Sequence, residues 1–421
     1  MQSLSMHQVG VAALLAIACA SATGLAAGAP LSLAEAQRVA VERSRLLDAK
    51  RLAVSASREM AVAAGQLPDP VVSLGVENMP ADGADRFNLT RDFMTMRRVS
   101  LMQEVTSGDK RRLRAERYGL EAEKGLAEQA VALAAIQRDT ALAWIDAYYA
   151  DAEATLIAEE RGRASQESEI ADAAYRAGRG SQGDVFMVQS SVALLDDRVA
   201  DVARRARSAR TMLARWTGGD EQRPLGQKPA FDVIRGGAHS LHEQLATHPE
   251  IIALSKQEEI ASSEARLADA NKRPDWSVQL AYSQRGPSYS NMVSFGVSIP
   301  LPWDAANRQD REVAAKVAAA QQAAAVRDET LRMHLAEIVS MTQQWESNRA
   351  RLERFEREIV PLARERTGAL LAAYRGGKSS AGDVLAVRRN ELEVRLQMLQ
   401  LEAETARLWA QLSFLFPEDV K

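Results

Sequence analysis

Apolar residues return at every seventh place along Lys110–Ala177, at Leu113, Leu120, Ala127, Ala134, Ala141 and Tyr148. That period predicts one helix of about 68 residues, roughly 100 Å long. Its seam is mostly alanine, so neighbouring helices can approach closely. A second seam, Leu331, Ile338, Trp345, Leu352 and Ile359, predicts another long helix over Arg308–Gly376. Shorter helical patterns precede and follow each one: Leu31–Gly65 and Asp184–Trp216 around the first, Ser240–Ala270 and Asp383–Phe414 around the second. The two short patterns of the first set add up to about 67 residues, nearly the length of the long one. Two short helices placed end to end would therefore run beside one long helix.

Between the opening and long helices the period changes from 3.6 to 2. Val72, Leu74 and Val76 alternate with Ser73, Gly75 and Glu77 after Pro68-Asp69-Pro70. A second run over Thr95–Val105 puts Val99, Leu101 and Val105 on one face. In the second half, Trp276, Val278, Leu280 and Tyr282 alternate with small or polar residues after Pro274-Asp275. Val293, Phe295, Val297, Ile299 and Leu301 then alternate with Ser294, Gly296 and Ser298. Each run is about ten residues, the length of a tilted membrane-spanning strand. A soluble hairpin with one buried face would show the same alternation in the first pair alone.

The order helix, two strands, long helical hairpin thus occurs twice. The bend of each hairpin repeats almost verbatim: Ala173–Val185 reads AAYRAGRGSQGDV and Ala372–Val384 reads AAYRGGKSSAGDV. About nine of thirteen positions agree at an offset of about 199. Gly178 and Gly377 stand where a helix C-cap needs positive φ, and Ser181 and Ser380 where the next helix needs an N-cap. Pro361 interrupts the second long pattern and predicts a bend there. Its counterpart at the same offset is Gly162, which predicts a matching weak point in the first. The expected organisation is a signal segment over 1–29, a first repeat over 30–216, a Gly/Pro-rich connector over 217–238 and a second repeat over 239–421.

The N-terminal segment has a short apolar core, Val9–Ala20, followed by small residues, as a secretory signal does. Its one cysteine, Cys19, reads either as discarded with the signal or as a lipid-anchored N-terminus; Leu15 stands one place too early for the second. A single cysteine excludes a disulfide framework or a thiolate metal site within one chain. Net charge is −3 and no basic block occurs, so nucleic acid is not an expected partner. The five histidines lack H-E-x-x-H spacing, and no phosphate loop or catalytic triad stands out. No enzyme activity, cofactor or metal site is expected. Met79, Met94 and Met96 cluster near the first strand pair and thioethers suit Cu(I), but loop or rim methionines in a chain with 13 of them would look the same.

Four strands cannot close a barrel, and open edges cannot face lipid. Two chains give eight strands, too narrow for an open pore; three give twelve. The fold class expected is mostly α with a membrane β-barrel portion: a tandem structural repeat giving four strands per chain to a barrel shared between chains, with a long helical duct beneath it. Val72, Leu74, Val76, Val278, Leu280, Val293, Phe295, Val297 and Ile299 are the expected lipid-facing residues.

With the strand pairs after P-D-P and P-D and the Y-x-x-G-x-x-S bends, the mature chain resembles the TolC-like outer-membrane efflux proteins. The segments VENMP (Val76–Pro80), RDFMTM (Arg91–Met96) and GDKRR (Gly108–Arg112) resemble the branch serving heavy-metal resistance-nodulation-division pumps. The resemblance implies a homotrimer with a twelve-stranded β-barrel continued by a long periplasmic α-helical barrel, an outer-membrane exit duct with the bends at its periplasmic tip, docked to a membrane-fusion adaptor and an inner-membrane pump. Multidrug efflux or type I secretion is the alternative within the family. It implies adaptor docking at Tyr175, Arg176, Gly178, Ser181, Tyr374, Arg375, Gly377 and Ser380. It also implies a gate at Asp184 and Asp383, where Phe186 and Leu385 can supply an apolar collar. The family's D-V-L-D gate arrangement is incomplete here: Ala386 replaces the second acid, and the first copy reads Asp184-Val185-Phe186-Met187. A periplasmic adaptor or a soluble coiled-coil scaffold stands against this reading. An adaptor usually has one hairpin and further domains, and a scaffold needs no alternating strands.

Overall fold

The structure is a computed structural model that describes residues 29–219, 221, 223–234 and 244–417. The signal reading, Cys19 and part of the connector lie outside these residues. The first helices of the described residues are α1 (Leu33–Arg43) and α2 (Arg45–Ala64), where periodicity alone predicts one helix. Ser44 divides them. It adopts φ −70°, ψ 106°, and its hydroxyl accepts from the Leu47 N–H, so one residue stops one helix and caps the next.

Strands β1 (Val71–Glu77) and β2 (Met96–Val105) follow, then α3 (Gly108–Arg176), 69 residues without a break. The return helix is α4 (Gln182–Thr217). The second repeat contains α5 (Pro249–Ala270), β3 (Trp276–Gln284), β4 (Met292–Ser298), α6 (Gln309–Arg354), α7 (Val360–Arg375) and α8 (Ala381–Ser413). Helices α1, α2, α4, α5 and α8 all pack against α3. Its predicted seam positions Leu113, Ala127, Ala134 and Ala141 are buried. Two short helices do lie beside the long one.

The expected matching weak points do not match. Helix α3 runs through Gly162, because a glycine in a helix costs only about 1 kcal/mol. Pro361 has a larger effect: it cannot donate to the preceding turn. Here a π-helical turn, Phe355–Ile359, stands between α6 and α7, and the Val360 N–H reaches back to the Phe355 carbonyl.

The four strands form one antiparallel sheet in the order β1-β2-β3-β4, so the hairpins of the two repeats pair through β2 and β3. Strands β1 and β4 are seven residues long, shorter than the expected ten. Strand β4 stops at Ser298 because Pro300 and Pro302 cannot donate to a ladder. Ile299, expected within the strand, therefore lies just beyond it. Where the sheet meets the helices, the buried Lys110 ammonium bonds Asp275 at 3.0 Å and also the Arg273 carbonyl. The G-D-K-R-R segment thus holds the P-D corner of the other repeat.

The main core lies midway along the helices, under the connector. Leu31 pairs in parallel with Leu225, and Gly226 N–H donates to the Leu31 carbonyl at 2.9 Å. Three tryptophans pin the same layer. Trp144 Nε1 donates to the Leu31 carbonyl at 2.9 Å, Trp345 Nε1 to that of Phe231 at 3.2 Å, and Trp409 Nε1 to that of Val233 at 2.9 Å. Each indole buries a large apolar body while satisfying one carbonyl of an irregular segment that has few ladder partners.

Candidate functional site

Three regions carry features that packing within the chain does not explain. In the sheet, cross-strand register puts the apolar positions of all four strands on one face. Val72, Leu101, Leu280 and Phe295 form one row, and Leu74, Val99, Tyr282 and Val293 the next. This face is uncovered: Leu74 is 76% exposed and Val293 and Phe295 are each 72% exposed. Aromatic residues mark both of its ends. Trp276 and the 93% exposed Trp303 stand beside the helices, and Phe87, Phe93 and Tyr289 stand at the hairpin loops. The opposite face carries Ser73, Ser100, Ala281 and Ser294 in one row. There Arg98 bonds Glu77 at 3.0 Å and Gln279 at 3.4 Å across the strands. Such separation, apolar outside and polar inside with aromatic margins, is that of a strand array between lipid and water.

At the other end of the helices lie the two bends. Gly178 has φ 70° and Gly377 φ 69°. Gly178 N–H donates to Tyr175 O and Arg179 N–H to Ala174 O, both at 2.9 Å; Gly377 and Lys378 repeat this with Tyr374 and Ala373. These are αL caps in which glycine avoids a Cβ penalty. Ser181 and Ser380 then open the return helices in full capping boxes: Asp184 N–H donates to Ser181 Oγ at 3.1 Å while Ser181 N–H donates to Asp184 Oδ2 at 3.1 Å. Asp383 does the same with Ser380 and also accepts from Ser379 Oγ at 3.2 Å. The serine hydroxyls, then the serine N–H groups, hold both carboxyls below the usual aspartate range.

The structure brings the two bends side by side. Val185, Val188, Val384 and Val387 are buried, and a cleft of about 140 Å³ between the hairpins is lined by Ile170, Tyr374 and Leu385 among others. Arg388 and Glu167, which also line it, form an ion pair at 2.6 Å. Phe186 is exposed, Leu385 is half-buried, and Tyr175, Arg176 and Arg375 face solvent. Each aspartate bonds within its own bend.

The third region was not visible in the sequence. Among the described residues, His248, Glu250 and His334 form one group whose ligand atoms all lie within 4.8 Å of one another. His248 caps α5, Glu250 stands in its first turn, and His334 comes from α6. The histidine and glutamate are two places apart, which on a continuous helix would point them apart. They converge because His248 is still extended, with φ −61° and ψ 133°. Burial, and then the neighbouring His334 ring, push the His248 pKa below its ordinary value. The sequence signal sought, two histidines one helical turn apart, cannot detect ligands from two helices.

The sheet, the hairpins and the placement of their polar and apolar faces give the chain the fold of solved outer-membrane channels. The outer membrane efflux protein family model matches residues 240–416, somewhat under half of the chain. The cobalt-zinc-cadmium resistance protein CzcC of Cupriavidus metallidurans is 24% identical over 290 residues, covering 65% of this chain and 66%, just under two thirds, of that one. The outer membrane protein VceC of Vibrio cholerae has the same fold at TM-score 0.74 and 18% identity, over 91% of this chain and 95% of VceC. The outer membrane channel MtrE of Neisseria gonorrhoeae, in its open state, matches at TM-score 0.75 and 16% identity, over 92% of this chain and 89% of MtrE.

Proposed function

We propose that the protein is the outer-membrane exit duct of a tripartite efflux system, passively conducting heavy-metal ions delivered by a periplasmic adaptor and an inner-membrane resistance-nodulation-division pump. One observation carries the duct reading: an open sheet with an exposed apolar face and two free edges, β1 and β4, set at the end of helices about 100 Å long. Lipid covers that face, and edge-to-edge pairing of three chains closes twelve strands. The likeness to CzcC and the three quoted segments support a metal cargo. Deleting the gene should raise cellular cobalt, zinc and cadmium, and restoring it should reverse this. Unchanged metal with lost export of organic compounds would assign the duct to multidrug efflux.

The bends are the periplasmic tip in this reading. Their exposed Tyr175, Arg176, Arg375 and neighbouring Gly178, Ser181, Tyr374, Gly377 and Ser380 meet the adaptor. Three copies of Asp184 and Asp383 narrow the duct, with Phe186 and Leu385 as the apolar part of the closure. Because both aspartates also cap helices, removing the acid alone is ambiguous, so two variants are needed. Asp383→Ala should raise basal conductance in a planar bilayer and lower cation selectivity. Ser380→Ala removes the cap but keeps the charge, and should loosen the tip with selectivity unchanged. Equal conductance in both variants and the wild type would leave the aspartates with the capping role only. The caps also set a pH dependence. Folded carboxyls held below their unfolded value of about 4 contribute fully above that value, and the contribution is lost as pH falls through the lower folded value. Amide protection at the bends should be flat from neutral pH down to about 5 and decline only in stronger acid.

A further inference from the structure

We propose that His248, Glu250 and His334 bind one divalent cation of the zinc class in the wall of the helical barrel, as a retained clamp rather than as cargo. The donor set is two imidazoles and one carboxylate, which suits zinc or cobalt with a fourth position left for water. The orientation of each ring supports the assignment. His248 Nε2 lies 3.1 Å from the Leu415 carbonyl, which can only accept, so Nε2 carries the proton and the lone pair is on Nδ1. Nδ1 accepts from the Glu250 N–H at 3.3 Å, the capping bond of α5, which a cation at Nδ1 would replace.

His334 stands between two carboxylates, with Glu250 Oε2 at 3.0 Å from Nε2 and Glu337 Oε2 at 3.2 Å from Nδ1. A neutral imidazole has one N–H, so one of its nitrogens would aim a lone pair at a carboxylate oxygen. A cation between Nε2 and Glu250 removes that conflict and leaves Nδ1–H to donate to Glu337. Both ligating rings are then held through their other nitrogen, one by a carbonyl and one by a carboxylate, as metal-bound histidines usually are. The site opens onto a cleft of about 850 Å³, which also contains Asp139, Ser340 and Gln411, giving water access to the fourth position. The cation would tie the start of α5 to α6, next to the Leu415 carbonyl that follows α8. The inference does not depend on what the duct conducts.

The rival is a protonated His334 bridging the two glutamates with no metal. The test uses the full-length protein in detergent, stripped with a chelator and titrated with cobalt(II), followed by its visible ligand-field absorption and by displacement with zinc. One cobalt per chain is expected, with the band lost on zinc addition. Glu337→Gln should weaken binding by about 10- to 100-fold. His334→Lys keeps a cation beside both glutamates but cannot complete the site, and should abolish stoichiometric binding with the metal-free melting temperature little changed. Should His334→Lys fail to fold, Glu250→Gln carries the same test. No stoichiometric cobalt in the wild type, or binding that survives in His334→Lys or Glu250→Gln, would overturn the proposal.

Discussion

Phe295→Arg should leave the protein unassembled, as single chains in place of the proposed twelve-stranded assembly. Phe295 stands in the middle row of the sheet, beside Leu280, Leu101 and Val72. A guanidinium at that depth of a lipid-facing barrel costs about 2–4 kcal/mol per strand, and a threefold assembly pays it three times over. The adjacent residue gives the opposite result. Ser294 points to the face shared by Ser100 and Ser73, so Ser294→Arg should assemble normally and alter conductance and ion selectivity. Native mass spectrometry separates the outcomes. Equal assembly defects from both substitutions would disprove the assigned register, since adjacent strand residues must face opposite ways.

Trp144→Ala should destabilise the helical domain by about 3–5 kcal/mol, the range for deleting a buried large aromatic side chain. Trp144 has no exposed surface, stacks on Tyr148 at 5.3 Å and satisfies the Leu31 carbonyl. Trp144→Phe separates the two contributions: it keeps most of the packing and removes the donor, and should cost about 1–3 kcal/mol. Denaturant unfolding of the detergent-solubilised protein, with two denaturant slopes compared to check that the transition is unchanged, measures both. If Trp144→Ala cost no more than Trp144→Phe, the indole would serve only as a hydrogen-bond donor. A loss below about 1 kcal/mol for either would deny the Trp144–Leu31 contact its place in the core.

The features legible in the sequence are those written locally and repeated. The alanine seam of α3, the alternation at Val293–Val297 and the Y-x-x-G-x-x-S bends each place their signal within a few residues. The duplication then states each of them twice. Features that depend on competition between neighbours were less legible. Ser44 divides a helix that periodicity joins, because a serine cap outweighs continued helix only in that backbone setting. Pro361 and Gly162 fall at equivalent positions but are not equivalent physically: one removes an N–H, the other only a side chain. The clasp of the connector by two indoles, Trp345 and Trp409, and the His248–Glu250–His334 group depend on residues far apart in the chain, and no spacing rule joins Glu250 to His334 across 84 positions.

The account rests on the closure of four-stranded sheets into one barrel, since lipid exposure, the duct and the tip all depend on it. The native mass spectrum of the protein extracted from outer membranes tests this most directly. Three chains per particle are predicted, giving twelve strands and no free edge. A membrane-inserted particle of one or two chains would contradict the account, because eight strands or fewer enclose no open duct.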